Sequence, residues 1–333
     1  MIYINFMKSR FNILYEQVMK MIKESGNMVS NIVKIKKENI APTLAKLHED
    51  IFEPLGISKE FYTAEIGSAA EGGKKDECGD LDIAVNFKAL DETLKIDTRE
   101  EIIKLAKSKG YEVGKQGPLV SLRFPIQGSQ LEKDEYVQID LFKSNNLKFT
   151  EYRMRSPIQK FGLDKTAKLN EGESRYKGLY RANFLASLIK AVTMAVADDA
   201  IDKNQFTDKD GRVYPASRYK HLTVLDDGLF EVTKSFIGKK GQLKRHDEKD
   251  KSKTKFVTDD PQEMLDIVFG KGKYKVSDTY SFESLWNNIL MDQGFPYPDK
   301  RDDIVIALYH SFKDQEVMPD EITDYIEEHG LTV

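Results

Sequence analysis

The chain has 333 residues, enough for one large domain or two of ordinary size, and its 40% hydrophobic and 32% charged residues allow buried cores. A formal net charge of −4 excludes a protein coated in basic charge for nucleic acid, while leaving room for a local basic groove. One cysteine, Cys78, excludes an internal disulfide and argues against a thiolate zinc site, and the histidines (His48, His221, His246, His310, His329) show no metal-ligand spacing.

The start, MIYINFMKSRFNILYEQVMKMIKE, lacks the apolar core and small-residue cleavage site of a signal peptide. No apolar run is long enough to span a bilayer, so a cytoplasmic protein without membrane association is expected. Phe11, Leu14, Tyr15, Val18, Met19 and Ile22 recur at helical spacing and predict an amphipathic N-terminal helix. A second helical pattern, Leu44, Leu47 and Ile51, ends before Pro54-Leu-Gly56. The period then changes. FYTAEI (61–66) and LDIAVNF (81–87) read as strands, and Thr98-Arg-Glu-Glu101 has the spacing of a capping box for a helix to about Lys109. VSLRFPI (120–126) and EYVQIDLF (135–142) predict two more strands joined by a polar loop with Gly128, and Pro125 places the first at a sheet edge or at its own strand's end.

Beyond about residue 150 the strand pattern fades. GLYRANFLASLIKAVTMAVADDA (178–200) predicts a long helix, apolar on most sides and so deeply placed between two parts of the protein. RYKHLTVLDDGLFEVTKSFI (218–237) reads as helix, as do 261–270, 281–293 and 301–313. KKGQLKRHDEKDKSKTK (239–255) holds eight Lys/Arg against three Asp/Glu; it reads as a solvated loop, or more sharply as a contact for RNA phosphates. The expectation is an α+β protein: a mixed-sheet domain with an N-terminal helix over 1–155, then a mostly helical domain over 156–333.

The chemistry gathers in GSAAEGGKKDECGDLDIAV (67–85). Side chains alternate along a strand, so Asp80 and Asp82 point the same way while Leu81 and Ile83 go to the other face. Two carboxylates so close repel, and one takes up a proton unless a cation intervenes. Magnesium, a hard cation that prefers oxygen ligands, is the usual remedy. Asp140 interrupts the opposite face of Val137, Ile139 and Leu141. If its strand lies beside 81–87, three carboxylates converge, in outline a site for two metal ions about 4 Å apart that flank an in-line displacement. Gly67-Ser68 follows a strand; backbone N–H groups there, with the Ser68 hydroxyl, suit phosphate oxygens, and the glycine lets them approach closely.

Gly-Ser, eleven residues, Asp-apolar-Asp-apolar and a distant strand Asp together resemble the nucleotidyltransferases of the DNA polymerase β superfamily, over about residues 61–142. The layout is nearest to the poly(A) polymerase, archaeal CCA-adding and oligoadenylate synthase-like branch. The resemblance implies that Asp80 and Asp82 bind two Mg²⁺ ions, with Mn²⁺ an alternative occupant. It implies that Asp140 holds the metal that activates the attacking hydroxyl and that Ser68 contacts the β/γ-phosphates of an NTP. Looser likenesses follow. Tyr180-Arg181 to Lys190 is similar to a helix whose Lys reaches the triphosphate, and Tyr214-Pro-Ala-Ser217 to a helix start whose Ser does so. Asp260-Pro261 with Trp286 is similar to a late element of that branch, whereas residues 1–60 match only in being helical.

Blander readings stand beside these. A lone Asp-x-Asp is commonly a solvated strand end. A haloacid dehalogenase-like phosphatase needs Thr or Ser where Ala84 stands, and a glycosyltransferase gives no reason for Gly67-Ser68. Lys190 also reads as a snorkelling lysine, Ser217 as a plain N-cap and Asp208-Lys-Asp210-Gly211 as a turn. The lysines of Gly72-Gly73-Lys74-Lys75 read as water-facing. The expected reaction is attack of an acceptor hydroxyl on the α-phosphorus of an NTP bound between the two domains, with loss of pyrophosphate. The acceptor stays open: an RNA 3′ end, a second nucleotide giving a short or cyclic oligonucleotide, or a small molecule such as an antibiotic. Outside enzymes, the alternative is a pseudoenzyme that binds a nucleotide or protein partner.

Overall fold

A computed structural model describes residues 29–333 except 65, 68–75, 129–134, 161, 164–166, 197–201, 208–212, 226, 240–241, 246–253, 314 and 316, and for 194–196, 202–207, 213–220, 233–239 and 242–245 it describes the backbone alone. The expected N-terminal helix lies outside the described residues. The chain divides into two compact units: residues 29–182 with Tyr280–Phe282, and Asn183–Thr279 with Glu283–Val333. Among the described residues no helix is long and apolar enough to cross a membrane. The protein is α+β with a mixed sheet.

In the first unit the strands are β1 (Ile35–Lys36), β2 (Tyr62–Thr63), β3 (Glu77–Cys78), β4 (Asp80–Val85), β5 (Glu112–Gln116), β6 (Leu119–Pro125), β7 (Tyr136–Lys143), β8 (Ile158–Gln159) and β9 (Glu173–Ser174). Five of them form a sheet of order β2-β4-β7-β6-β5, in which β4 and β7 run parallel and every other pair antiparallel. β1 pairs with β3, and β8 with β9, as small ribbons. Pro125 ends β6, where its missing N–H costs no ladder bond.

Alternation sorts the two faces of this sheet. Leu81, Ile83 and Val85 of β4, Val137, Ile139 and Leu141 of β7, and Val120, Leu122 and Phe124 of β6 are buried in one core with Ile40, Leu47, Ile51, Ile102 and Ala106 from helices. Those helices are α1 (Lys37–Leu47), which continues as a π-turn over His48–Phe52, and α3 (Thr98–Ser108). α2 (Phe87–Leu94) lies between them in sequence and takes up Phe87, expected at a strand end. The cap of α3 is Asp97, whose side chain accepts from Glu100 N at 3.1 Å, one residue ahead of the expected Thr98. Asp offers a stronger acceptor than Thr, and Thr98 N is engaged by Asp91 at 2.8 Å. Asp50, nearly buried, accepts from Lys46 and Lys109 at 3.1 Å each and from Tyr111 at 2.6 Å, joining the π-turn to the end of α3 and the start of β5. Burial opposes ionisation of Asp50, but these three donors hold its carboxyl below the usual range.

After β7, α4 (Leu147–Arg153) starts at Asn146, which accepts from Phe149 N at 3.0 Å. α5 (Gly178–Val196) is the long helix expected from its sequence. Its fully buried Arg181 donates to the carbonyls of Tyr152 and Arg153 at 2.7 and 2.8 Å, at the C-terminal end of α4 where carbonyls lack helical partners.

The second unit corrects the expectation of a mostly helical half. Five strands form an antiparallel sheet here: β10 (Asp202–Thr207), β11 (Val213–Leu225), β12 (Gly228–Lys239), β13 (Gln242–Arg245) and β14 (Thr254–Thr258). The stretch 218–237, expected as helix, is the β11–β12 hairpin, with Leu225 paired to Gly228. Its β-branched Thr223, Val224, Val232 and Thr233 and the Asp227-Gly228 step between two apolar runs favour a hairpin. Of the basic stretch, Gln242–Arg245 pairs with the end of β12, and 246–253 lie outside the described residues. Thr193 of α5 accepts from Leu222 N at 3.0 Å. The expected later helices form as α6 (Pro261–Phe269), a turn over Phe282–Ser284 running into a π-turn at Leu285–Leu290, and α7 (Arg301–Phe312), followed by α8 (Asp320–Glu328). Asp260 caps α6 through Glu263 N at 2.8 Å, and Trp286 packs between Phe184 and Tyr325.

Candidate functional site

The polar face of the mixed sheet is set by register. Asp80 lies opposite Gln138 and Asp82 opposite Asp140 on the parallel β4–β7 pair; Ser121 lies opposite Asp140 on β6. Residues opposite one another share a face, so three carboxylates meet on the side turned away from the core. An oxygen from each of Asp80, Asp82 and Asp140 lies within 4.8 Å of the others.

Asp140 is the most enclosed of the three, with 1% of its surface exposed. Ser121 Oγ donates to its Oδ1 at 2.5 Å, and Gln138 Nε2 donates to both oxygens at 3.1 Å. Both donors are neutral. Burial pushes the Asp140 carboxyl up to about 6, the bonds from Ser121 and Gln138 pull against it, and the charge of Asp80 adds to the rise. Asp82 is raised well above the usual carboxylate range, first by burial and then by the Asp80 and Asp140 charges. Among the described residues no ion pair engages Asp82 or Asp140. Three close carboxylates, of which Asp82 and Asp140 have their ionisation opposed by burial and neighbouring charge, are the donor set a hard divalent cation takes.

Gly67 stands directly against this cluster. Its backbone is left-handed (φ +66°), its N–H donates to Met154 O at 3.1 Å, and it forms a parallel bridge with Arg155. A Cβ at this position would overlap the Asp82 carboxylate, so only glycine brings the backbone this close to the acids.

Ser68, expected to grip a phosphate tail, lies outside the described residues. Lys190 sits in the second unit's part of α5 with 3% of its surface exposed. Ser217 is inside β11, opposite Lys203 and Phe236, so the helix start expected around it does not form; the strand pairing of 213–225 takes its place. Ser121 and Gln138, the two donors to Asp140, were not expected from the sequence. Gln138 had a trace there: it shares the Asp140 face of an otherwise apolar strand. Ser121 had none, because its role depends on β6 pairing with β7.

No protein-family model matches this chain, and none of the curated proteins searched matches it.

Proposed function

We propose that the protein is a Mg²⁺-dependent nucleotidyltransferase that moves a nucleoside monophosphate from an NTP to an acceptor hydroxyl and releases pyrophosphate. The observation that carries this reading is the convergence of Asp80, Asp82 and Asp140, from two parallel neighbouring strands, beside a glycine whose backbone abuts Asp82. Asp80, Asp82 and Asp140 are the residues that would hold the metal. When bound, it supplies positive charge to the phosphate oxygens and lowers the pKa of a coordinated hydroxyl.

The chain's own residues do the positioning. Ser121 and Gln138 fix both oxygens of Asp140 and favour its ionised form, so the carboxylate is oriented before a ligand arrives. The phosphate tail would lie beside Gly67, whose own N–H is engaged by Met154 O and whose missing side chain lets the backbone abut the Asp82 carboxylate. Proximity and charge then carry most of the rate, as in other phosphoryl and nucleotidyl transfers.

Incubation with each labelled NTP and Mg²⁺, with and without total RNA, tests the proposal. Labelled RNA or a labelled small oligonucleotide, lost in the Asp80→Asn/Asp82→Asn double variant, supports it. Full transfer by the double variant, or nucleotide binding without any transferred label, contradicts it, the second outcome pointing to a pseudoenzyme.

A further inference from the structure

We propose that Arg123, stacked on Tyr136, is the acceptor-binding cation of this site, and that it selects an acceptor that carries a phosphate over a neutral or cationic one. This rests on the reading of the acids as a nucleotidyl-transfer centre.

Two rows of side chains cross the polar face of the sheet. One is Asp82, Asp140 and Ser121; the next is Asp80, Gln138, Arg123 and Glu112, taken in register from β4 to β5. Arg123 is therefore on the same face as the acids and diagonal to Asp140, a separation of roughly 7–8 Å between backbones that long side chains span. Its guanidinium lies 3.5 Å from the ring centroid of Tyr136, which shares that face two residues before Gln138. The stack holds the cation in place and spares its N–H fork for a ligand. Glu112 is the carboxylate opposite it in register, but Glu112 accepts from Ser30 N at 3.0 Å and Ser30 Oγ at 2.8 Å. Among the described residues no ion pair engages Arg123.

The side of the acids on which Arg123 stands gives it a role. In-line transfer places the entering and leaving oxygens on opposite sides of the phosphorus. Gly67, proposed to face the leaving phosphates, follows β2, the neighbour of β4 on the side away from β7. The entering hydroxyl then comes from the β7–β6 side, where Arg123 and Tyr136 stand. A fixed guanidinium there pairs with phosphate in bidentate fashion and repels a polycationic sugar. Such a phosphate comes either from the 3′ end of an RNA or from a free nucleotide.

The test compares the full-length protein with Arg123→Gln, which removes the charge but keeps a stem to pack on Tyr136, and Arg123→Lys, which restores the charge. Three probes are titrated in Mg²⁺: inorganic triphosphate for the donor side, and a fluorescein-labelled hexaribonucleotide and AMP for the acceptor side. The expected result is triphosphate binding unchanged in both variants. Acceptor-probe affinity is expected to fall about tenfold in Arg123→Gln, with a salt slope smaller by about one, and to recover most of the loss in Arg123→Lys. A response of the hexaribonucleotide assigns the phosphate to RNA, and a response of AMP alone assigns it to a free nucleotide. Equal acceptor affinity in the wild type and Arg123→Gln overturns the inference, as does a parallel loss of triphosphate binding. Wild-type protein that binds triphosphate but neither acceptor probe overturns it while leaving the proposed reaction standing. Wild-type protein that fails to bind triphosphate removes both.

Discussion

Gly67 and Asp82 constrain each other at the scale of single residues. An alanine at 67 has to adopt a left-handed backbone, which costs about 1–2 kcal/mol, and its Cβ overlaps the Asp82 carboxylate. Gly67→Ala is therefore expected to lower the melting temperature modestly and to cut Mg²⁺-dependent transfer by about tenfold or more, because the displaced carboxylate misplaces the reacting groups. Thermal unfolding and turnover on the same sample check this; a variant with wild-type turnover would contradict the proposed closeness. The acids carry a pH signature as well. The Asp140 carboxyl is raised from 3.8 to about 6, and that of Asp82 is raised too, with burial the main cause of both. A raised acid binds its proton more tightly in the folded chain. Its contribution to stability is thus fully present below the unfolded value and is lost as pH rises through about 6. A divalent cation offsets that loss only where the carboxylates are ionised. Mg²⁺ is expected to raise the melting temperature clearly at about pH 8 and little at about pH 5. Equal shifts at both would mean that the ion binds elsewhere.

Among the elements, the β11–β12 hairpin is where hydrophobic periodicity misleads. Apolar residues at 222, 224, 225, 229, 230, 232, 236 and 237 suit a helix as well as a strand. Asp227-Gly228 between them was the deciding cue, and it follows turn chemistry rather than periodicity. Gly228 has φ +150° and packs against β14: a Cβ there would lie 2.5 Å from Thr258 O and 3.1 Å from the Phe256 ring. Gly228→Ala is expected to destabilise the second unit by about 1–3 kcal/mol while leaving Mg²⁺ binding at the acids intact. Chemical denaturation followed by Trp286, which lies in that unit, reads this out; an unchanged midpoint would contradict the close packing. The strands of the first unit were legible because Leu81, Ile83, Val137, Ile139 and Leu141 alternate cleanly with polar or small residues. β5 and α2 were not, since Glu112–Gln116 carries one large apolar residue and Phe87–Leu94 directly follows a strand.

Across the whole molecule, the sequence showed which side chains to watch but not how they would meet. The spacing of Asp80 and Asp82 put both on one face; placing Asp140 beside them needed the parallel pairing of β4 with β7, strands more than fifty residues apart, which no local pattern encodes. The same long-range pairing brings Ser121 to Asp140 and Arg123 into the row of Asp80. Lys190 and Ser217 were placed by likeness to short motifs, and a strand stands where the second of these needed a helix. These acids are proposed as a divalent-metal centre serving an NTP. Diffraction from crystals grown with Mn²⁺ and a non-hydrolysable NTP, recorded at the manganese edge, tests it most directly. Anomalous peaks bonded to oxygens of Asp80, Asp82 and Asp140, with the phosphate tail at Gly67, are expected. A triphosphate bound elsewhere, or acids with no anomalous density between them, would contradict it.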